Sequence, residues 1–304
     1  MTKNTKSRLN KTLSEVRQWA TGSSSVRGHR LNAYLSGEGK LVLANTDLFD
    51  YGMSQVSQSL LAAIDGAYCD ANQHMAYAFT RMILAEMFDI REMKGTDRRI
   101  AGNLDTETHL MFGVIATGRH ELVQPHYQTV LDGIDGGYGI HDGHNLPLGT
   151  TLRYAAFGLT IIGDWLGKPL DLDKHALPRD PAWGQLVAHW REPDLDKFLP
   201  VLLAACDTHV ERIAVTEREA NQQAKQFEFN SVFLAVHPTE ILAVLRLREL
   251  LGLPNPDHID HPLMQTPYAA ITCQPGEVTE RDELLDRFLE VVRQRDPQVL
   301  PPGI

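Results

Sequence analysis

Cysteine is scarce in this chain. Cys69, Cys206 and Cys273 are the three among 304 residues, and no two share a CxxC spacing. An odd, scattered set builds no disulfide framework and reads as small buried hydrophobes. Aromatic residues make up 7% and are not interleaved with a basic patch, which disfavours direct nucleic-acid binding. No apolar run approaches the roughly 20 residues of a bilayer span, so no membrane contact is expected. The opening MTKNTKSRLNKTLSEV is basic but lacks the apolar core of a secretory signal, and a cytoplasmic location is the expectation.

The chain also lacks recognisable catalytic motifs. GxSxG, HExxH and SxxK are all missing. GEGK at 37–40 runs into Leu41 instead of Ser or Thr and has no earlier glycine, so it is not a phosphate loop. The glycines from Gly133 to Gly143 never form GxGxxG after a strand, which leaves a dinucleotide fold unsupported. Neither a cofactor nor a catalytic group is expected.

What is present is charge, unevenly placed. Residues 1–40 hold eight Lys/Arg and two Asp/Glu, whereas the remainder carries 21 basic and 37 acidic residues. A basic, loosely attached segment 1–40 followed by an acidic domain 41–304 is the expected organisation. An acidic body repels nucleic acid and suits a cationic partner. The polar, proline-broken stretch at 167–182 is where two subdomains would meet.

Apolar residues recur at intervals of three and four from about Ser54 onward, as in Met75, Ala78, Met82, Ala85 and Phe88. Few of these are β-branched, which suits helix. Asp105 fits an N-cap, and Pro238 with Glu240 fits a first helical turn. Gly252 and Pro254 stop that helix. RDELLDRFLEVVRQ forms a last amphipathic helix. Residues 217–236 are ambiguous, since FEFNSVF alternates like a strand; helix is preferred because nothing nearby offers a strand to pair with. Seven to nine helices and no βαβ alternation give an all-α chain, an array of antiparallel helix pairs.

Residues 132–149 hold six glycines and read as a loop. His141 and His144 share HxxH spacing there, with Asp142 between them and Asp132 and Asp135 upstream. Imidazole and carboxylate together can hold a transition metal, but they need a rigid surround to orient them. A partner surface is the preferred reading, with no metal. His258 and His261 lie on a Pro-flanked turn and read as capping or packing residues. Cys206, Asp207 and His209 point different ways on a helix and make no nucleophilic site. Asp65 with Asp70, and Glu86 with Asp89, read as solvated helix faces. Glu240, Arg246, Arg248 and Glu249 sit in a helix that is otherwise apolar. A charge there must be paired, and an internal ion-pair staple is favoured over a partner contact.

Phe227 to Met264 carries a recognisable pattern: an aromatic pair (Phe227, Phe229), His237-Pro238, Glu240, the run ILAVLRLRE, Gly252-Leu253-Pro254, then Asp260-His261-Pro262-Leu263-Met264. It resembles the C-terminal block of helical immunity proteins encoded beside interbacterial toxins, notably effectors of the type VI secretion system. The match covers roughly an eighth of the chain. The tyrosine-rich endings of several such families are missing, which leaves the subfamily open. The resemblance implies an all-α cytoplasmic protein, not an enzyme, that binds one cognate toxin and occludes its active site. Many such toxins are nucleases with basic surfaces, which the acidic body complements. Asp132, Asp135, His141, Asp142 and His144 are the expected contact residues, because loops carry recognition. A homodimer is compatible with this reading. Two alternatives stand beside it: a metal-dependent hydrolase using the His/Asp-rich loop 132–144, and a helical adaptor with no toxin.

Overall fold

The computed structural model describes residues 3–22, 26–96, 98–146, 150–221 and 227–304. The fold is all-α, with thirteen α-helices among these residues. A parallel pairing of two short strands, β1 (Arg99–Asn103) and β2 (Gly139–His141), is the one strand ladder among them.

Two long helices, α3 (Leu41–Ile64) and α4 (Tyr68–Glu92), form an antiparallel pair across a tight turn at Gly66. Gly66 takes φ +77°, a left-handed conformation that glycine adopts without strain. The pair approaches closely at Gly52, where a Cβ would meet the Met82 side chain at 2.5 Å. Against this pair lies α5 (Leu104–Ala116), whose residues from Glu107 to Ala116 are all buried. Glycines again set the distances. A Cβ on Gly113 would strike the Phe79 ring, and one on Gly158 would strike Thr108 and Phe112. Helices α6 (Val123–Gly136), α7 (Arg153–Trp165) and α12 (Thr239–Leu250) pack around α5, which is the axis of the molecule.

The remaining helices are α1 (Lys3–Gly22), α2 (His29–Leu35), α8 (Pro181–His189), α9 (Leu195–Glu211), α10 (Glu217–Asn221), α11 (Val232–Val236) and α13 (Glu283–Arg295). Several start with a carboxylate cap. Asp180 accepts from the Ala182 amide, with Pro181 at the first helical position, and Asp194 accepts from Asp196. Asp282 caps α13 and also takes a bidentate pair from Arg81, both bonds 2.7 Å, which ties the C-terminal helix to α4. One hydrophobic cluster runs from Leu9 to Val299.

Three expectations need correction. The basic segment 1–40 is not loosely attached. Leu9, Thr12, Val16 and Ala20 of α1 are buried, and Arg8 makes a bidentate pair with Glu219 at 2.8 and 3.0 Å. Residues 132–149 are not one loop: 132–136 are the last turn of α6, Gly137 ends it at φ +70°, and 139–141 are β2. Residues 147–149 lie outside the described set. The expectation of helix over 217–236 is corrected at Phe229, which is extended and bridges Ile213, so a strand partner exists; residues 222–226 lie outside the described set.

Candidate functional site

The end of α6, β2 and the turn at 142–146 are braced by the segment 171–177. Asp142 is buried, accepts from the His144 amide at 3.1 Å and faces His175 at 3.4 Å. The Gly143 amide donates to the His175 carbonyl at 3.0 Å, and His144 Nε2 lies 2.9 Å from the Lys174 carbonyl. Gly143 sits so close to Ala176 that a Cβ would overlap its carbonyl. Asp142 therefore holds the turn's shape from within and is not itself offered to a partner. Asp135 is exposed and bridges to Lys174 at 2.5 Å, while Asp132 accepts from Gln128 on the helix face. His141 is half-buried on β2, and His144 is exposed. Beside them stands Leu146, 55% exposed, which exceeds the exposure of Leu43, Tyr68, Leu250 and Leu251. The five expected residues thus share one neighbourhood but divide into braces and displayed groups. Among the described residues, no group of three or more His, Cys, Asp or Glu side chains is placed to hold a metal ion.

A second feature is a cleft that sequence reasoning missed. A cavity of about 220 Å³ opens between α3, α4, α5, the start of α7 and residues 227–234. Met53, Met82, Phe229 and Phe233 are prominent in its walls, and nine of the seventeen lining residues are polar, among them Asp105, His109, Thr150, Tyr154, Glu228 and Asn230. His109 and Tyr154 are buried, and neither His109 Nε2 nor the Tyr154 hydroxyl has a hydrogen-bond partner. Burial pushes the His109 imidazole down to about 3, helped by His237 and His209, so the ring is neutral. Burial, and then Glu240, Glu228 and Asp105, hold the Tyr154 phenol well above its ordinary value. The first turn of α7 is built by a borrowed cap. Leu152 occupies the cap position in a left-handed conformation (φ 57°) and has no capping side chain. Asp105 supplies one from α5, accepting from the Ala155 amide at 2.8 Å and from the Thr150 hydroxyl. Asp105, read from sequence as the N-cap of its own helix, therefore caps a neighbour.

The residues of the resembling block turn inward. Glu240 meets His209 at 2.7 Å, and His209 Nε2 donates to the Ala235 carbonyl at 3.1 Å. His237 bonds Thr239 at 2.8 Å and the Ile271 carbonyl at 3.1 Å. Arg248 is fully buried, donates to the carbonyls of Trp190, Glu192 and Pro254, and lies 3.7 Å above the Phe198 ring. Arg246 pairs with Glu249. These charges are internal fastenings. His261 is buried near Asp207, at 3.5 Å, while His258 is exposed. Cys206 is buried and its thiol is pushed far up by burial, so it is no nucleophile.

Glu86 and Asp89 are corrected from solvated faces to half-buried members of an acid cluster around the buried Glu107. They face Glu107, which lies 2.8 Å from His126. Burial raises Glu107 to about 8 and Asp89 to about 7, and lowers His126 to about 3. Glu86 is also held well above the carboxylate range, first by burial and then by Glu107. Two carboxyls so close cannot both ionise cheaply, and one shared proton resolves the conflict. Asp65, by contrast, is exposed and pairs with Arg17.

Comparison of the chain with family models, with curated proteins and with solved structures found no match. No helix among the described residues is long and apolar enough to cross a membrane.

Proposed function

We propose that the protein is an immunity protein that binds a cognate antibacterial toxin and blocks it by occlusion. The observation that carries this reading is the braced turn at 142–146, which, with Asp135 of α6 beside it, displays His144 and the exposed Leu146 on a frame held by Asp142 and His175. An apolar tip rimmed by polar groups, fixed before contact, is a suitable recognition element, because little freedom is lost on binding. The acidic excess of residues 41–304 favours a partner with a basic surface and speeds encounter with it. The resembling block supports the reading through the frame: its charged residues hold the interior, and recognition falls to surfaces outside it.

The test is co-purification with the product of the adjacent reading frame, with protection of cells that express that product. Leu146→Asp and Asp135→Lys should each weaken capture at least tenfold while the fold persists. Failure of the wild-type chain both to bind the neighbour's product and to protect cells ends the proposal. The metallohydrolase alternative has no donor set to act through among the described residues.

A further inference from the structure

We infer that Glu86, Glu107 and His126 form a proton-dependent joint that seats α6 against α4 and α5, closed while one proton is held between the two carboxyls and loosened when that proton leaves.

The geometry requires the proton. Glu107 is buried, and its carboxyl is hydrogen-bonded to that of Glu86. Two carboxylates offer only acceptors, so a hydrogen bond between them needs a proton on one. Glu107 also meets His126 Nε2, at 2.8 Å. His126 is fully buried, and its Nδ1 has no partner. A hydrogen on Nδ1 would be buried without an acceptor, so the ring is neutral, carries its hydrogen on Nε2 and donates to Glu107. Glu107 is then the acceptor at the centre, with Glu86 as its donor from one side and His126 from the other.

The neighbouring groups add acid and no base. Helix α4 brings Asp89, whose carboxyl accepts from Asn45 Nδ2 of α3 at 2.6 Å, and beyond it Glu92. Among the described residues, no Lys or Arg is among the groups acting on Glu86, Asp89 or Glu107, and no donor set is placed to hold a metal ion. A proton is therefore the available counter-charge. It has a route to water, because Glu86 and Asp89 are half-buried. Burial lifts Glu107 to about 8 and Asp89 to about 7, which brings loss of the proton into the neutral to mildly alkaline range.

Helix α6 depends on this joint. It meets α5 through His126, and it meets α4 at Ile90, next to Asp89. A Cβ on Gly133 of α6 would lie 3.2 Å from Ile90 Cγ2, and one on Gly139 of β2 would lie 3.0 Å from Ile90 Cα. Once the proton is lost, Glu86 and Glu107 repel across a hydrogen-bond distance in a poorly solvated site. The repulsion pushes α4 and α5 apart, and α6, fitted to both, loses its seat. Since α6 carries Asp135 and leads into β2, the loosening reaches the surface beside the turn at 142–146.

The test uses the purified full chain and needs no partner. Amide hydrogen exchange is followed in α6, α9 and α13 between about pH 6 and pH 9, with rates corrected for the pH dependence of exchange itself. Protection from Tyr127 to Leu131 in α6 should fall at least tenfold more over that range than protection in α9 and α13. Infrared spectra should show the carbonyl band of a protonated carboxyl at the acid end and its loss at the alkaline end. Glu107→Gln keeps an oxygen for His126 and gives Glu86 an N–H that does not titrate, so the excess fall in α6 should vanish. Glu86→Gln, at the half-buried side of the joint, should do the same and leaves the Glu107–His126 contact in place. A fall in wild-type α6 no larger than in α9 and α13 overturns the inference. So does an excess fall that persists undiminished in both variants, or a protonated-carboxyl band that is missing at the acid end.

Discussion

Arg248 and Tyr154 are both buried, and their treatment is opposite. Arg248 donates to three carbonyls and to Asn255 while it stacks on Phe198. The Tyr154 hydroxyl donates to nothing. The fold surrounds the first with acceptors and leaves the second enclosed near the Glu240 carboxyl, whose Oε2 is likewise unpartnered. A fully partnered buried charge is a fastening, because the groups around it would be orphaned by its loss. An unpartnered buried hydroxyl is a cost the fold carries, about 1–3 kcal/mol. Polar residues at the centre are therefore sorted by what they touch, not by how deeply they lie.

The sharpest way to break this comparison is Arg248→Ala. It strips partners from the carbonyls of Trp190, Glu192 and Pro254 and opens a hole beside Phe198. The expected loss is about 3–5 kcal/mol, read as a fall in the urea midpoint, enough to unfold a marginal domain. A loss below about 1 kcal/mol would show that the guanidinium fastens nothing.

Next comes the acid cluster, through its pH dependence. Glu107 and Asp89 bind protons more tightly folded than unfolded, from an ordinary 4.5 up to about 8 and from 3.8 up to about 7. Their contribution is complete below the unfolded values and is lost as pH rises toward 7 and 8. His109 and His126, lowered from 6.5 to about 3, contribute fully above 6.5 and lose that contribution as pH falls toward 3. Stability should therefore decline on both sides of mildly acidic pH. Glu107→Gln keeps an oxygen for His126 and removes the titrating proton. It should flatten the decline between pH 5 and 8 by a few kcal/mol. Parallel wild-type and variant curves from urea titrations at pH 5, 6, 7 and 8 would refute the buried-acid account.

Tyr154→Phe should move stability the other way, raising it by about 1 kcal/mol because an unmet polar group is removed. A destabilised variant would mean that the hydroxyl is partnered in solution, by water or by Glu240.

Much of this fold was legible because helices announce themselves locally. The three- and four-residue spacing of Met75, Ala78, Met82 and Phe88 needs no partner to be recognised, and Gly252 ended its helix as its position suggested. The errors arose where a residue's meaning depends on a distant segment. Glu86 and Asp89 look solvated along their own helix; Glu107, from the next helix, draws them into a half-buried acid cluster. Phe229 lacked a visible strand partner because Ile213 pairs with it through a single bridge. The cavity draws its walls from five separate stretches, and no spacing joins His109 to Tyr154. In the candidate contact turn, the residue types were legible, but the division between Asp142 as brace and Leu146 as displayed tip was not. That division depends on His175, more than thirty residues away.

The smallest expected effect on stability belongs to that turn. Leu146 is more than half exposed, so replacing it by Asp removes little buried area and should change the urea midpoint by less than about 0.5 kcal/mol. Asp142→Ala should behave differently. It deletes the acceptor for the His144 amide and the carboxylate facing His175, and should cost about 1–2 kcal/mol. If the turn is a preformed recognition element, the two variants will lose partner capture for distinct reasons. Leu146→Asp will lose the contact with the frame intact, and Asp142→Ala will lose the frame. Hydrogen exchange separates them: the Gly143 amide, bonded to the His175 carbonyl, should stay protected in the first and exchange faster in the second. Equal protection in both would mean that Asp142 braces nothing, and the contrast between support and display within the turn would collapse.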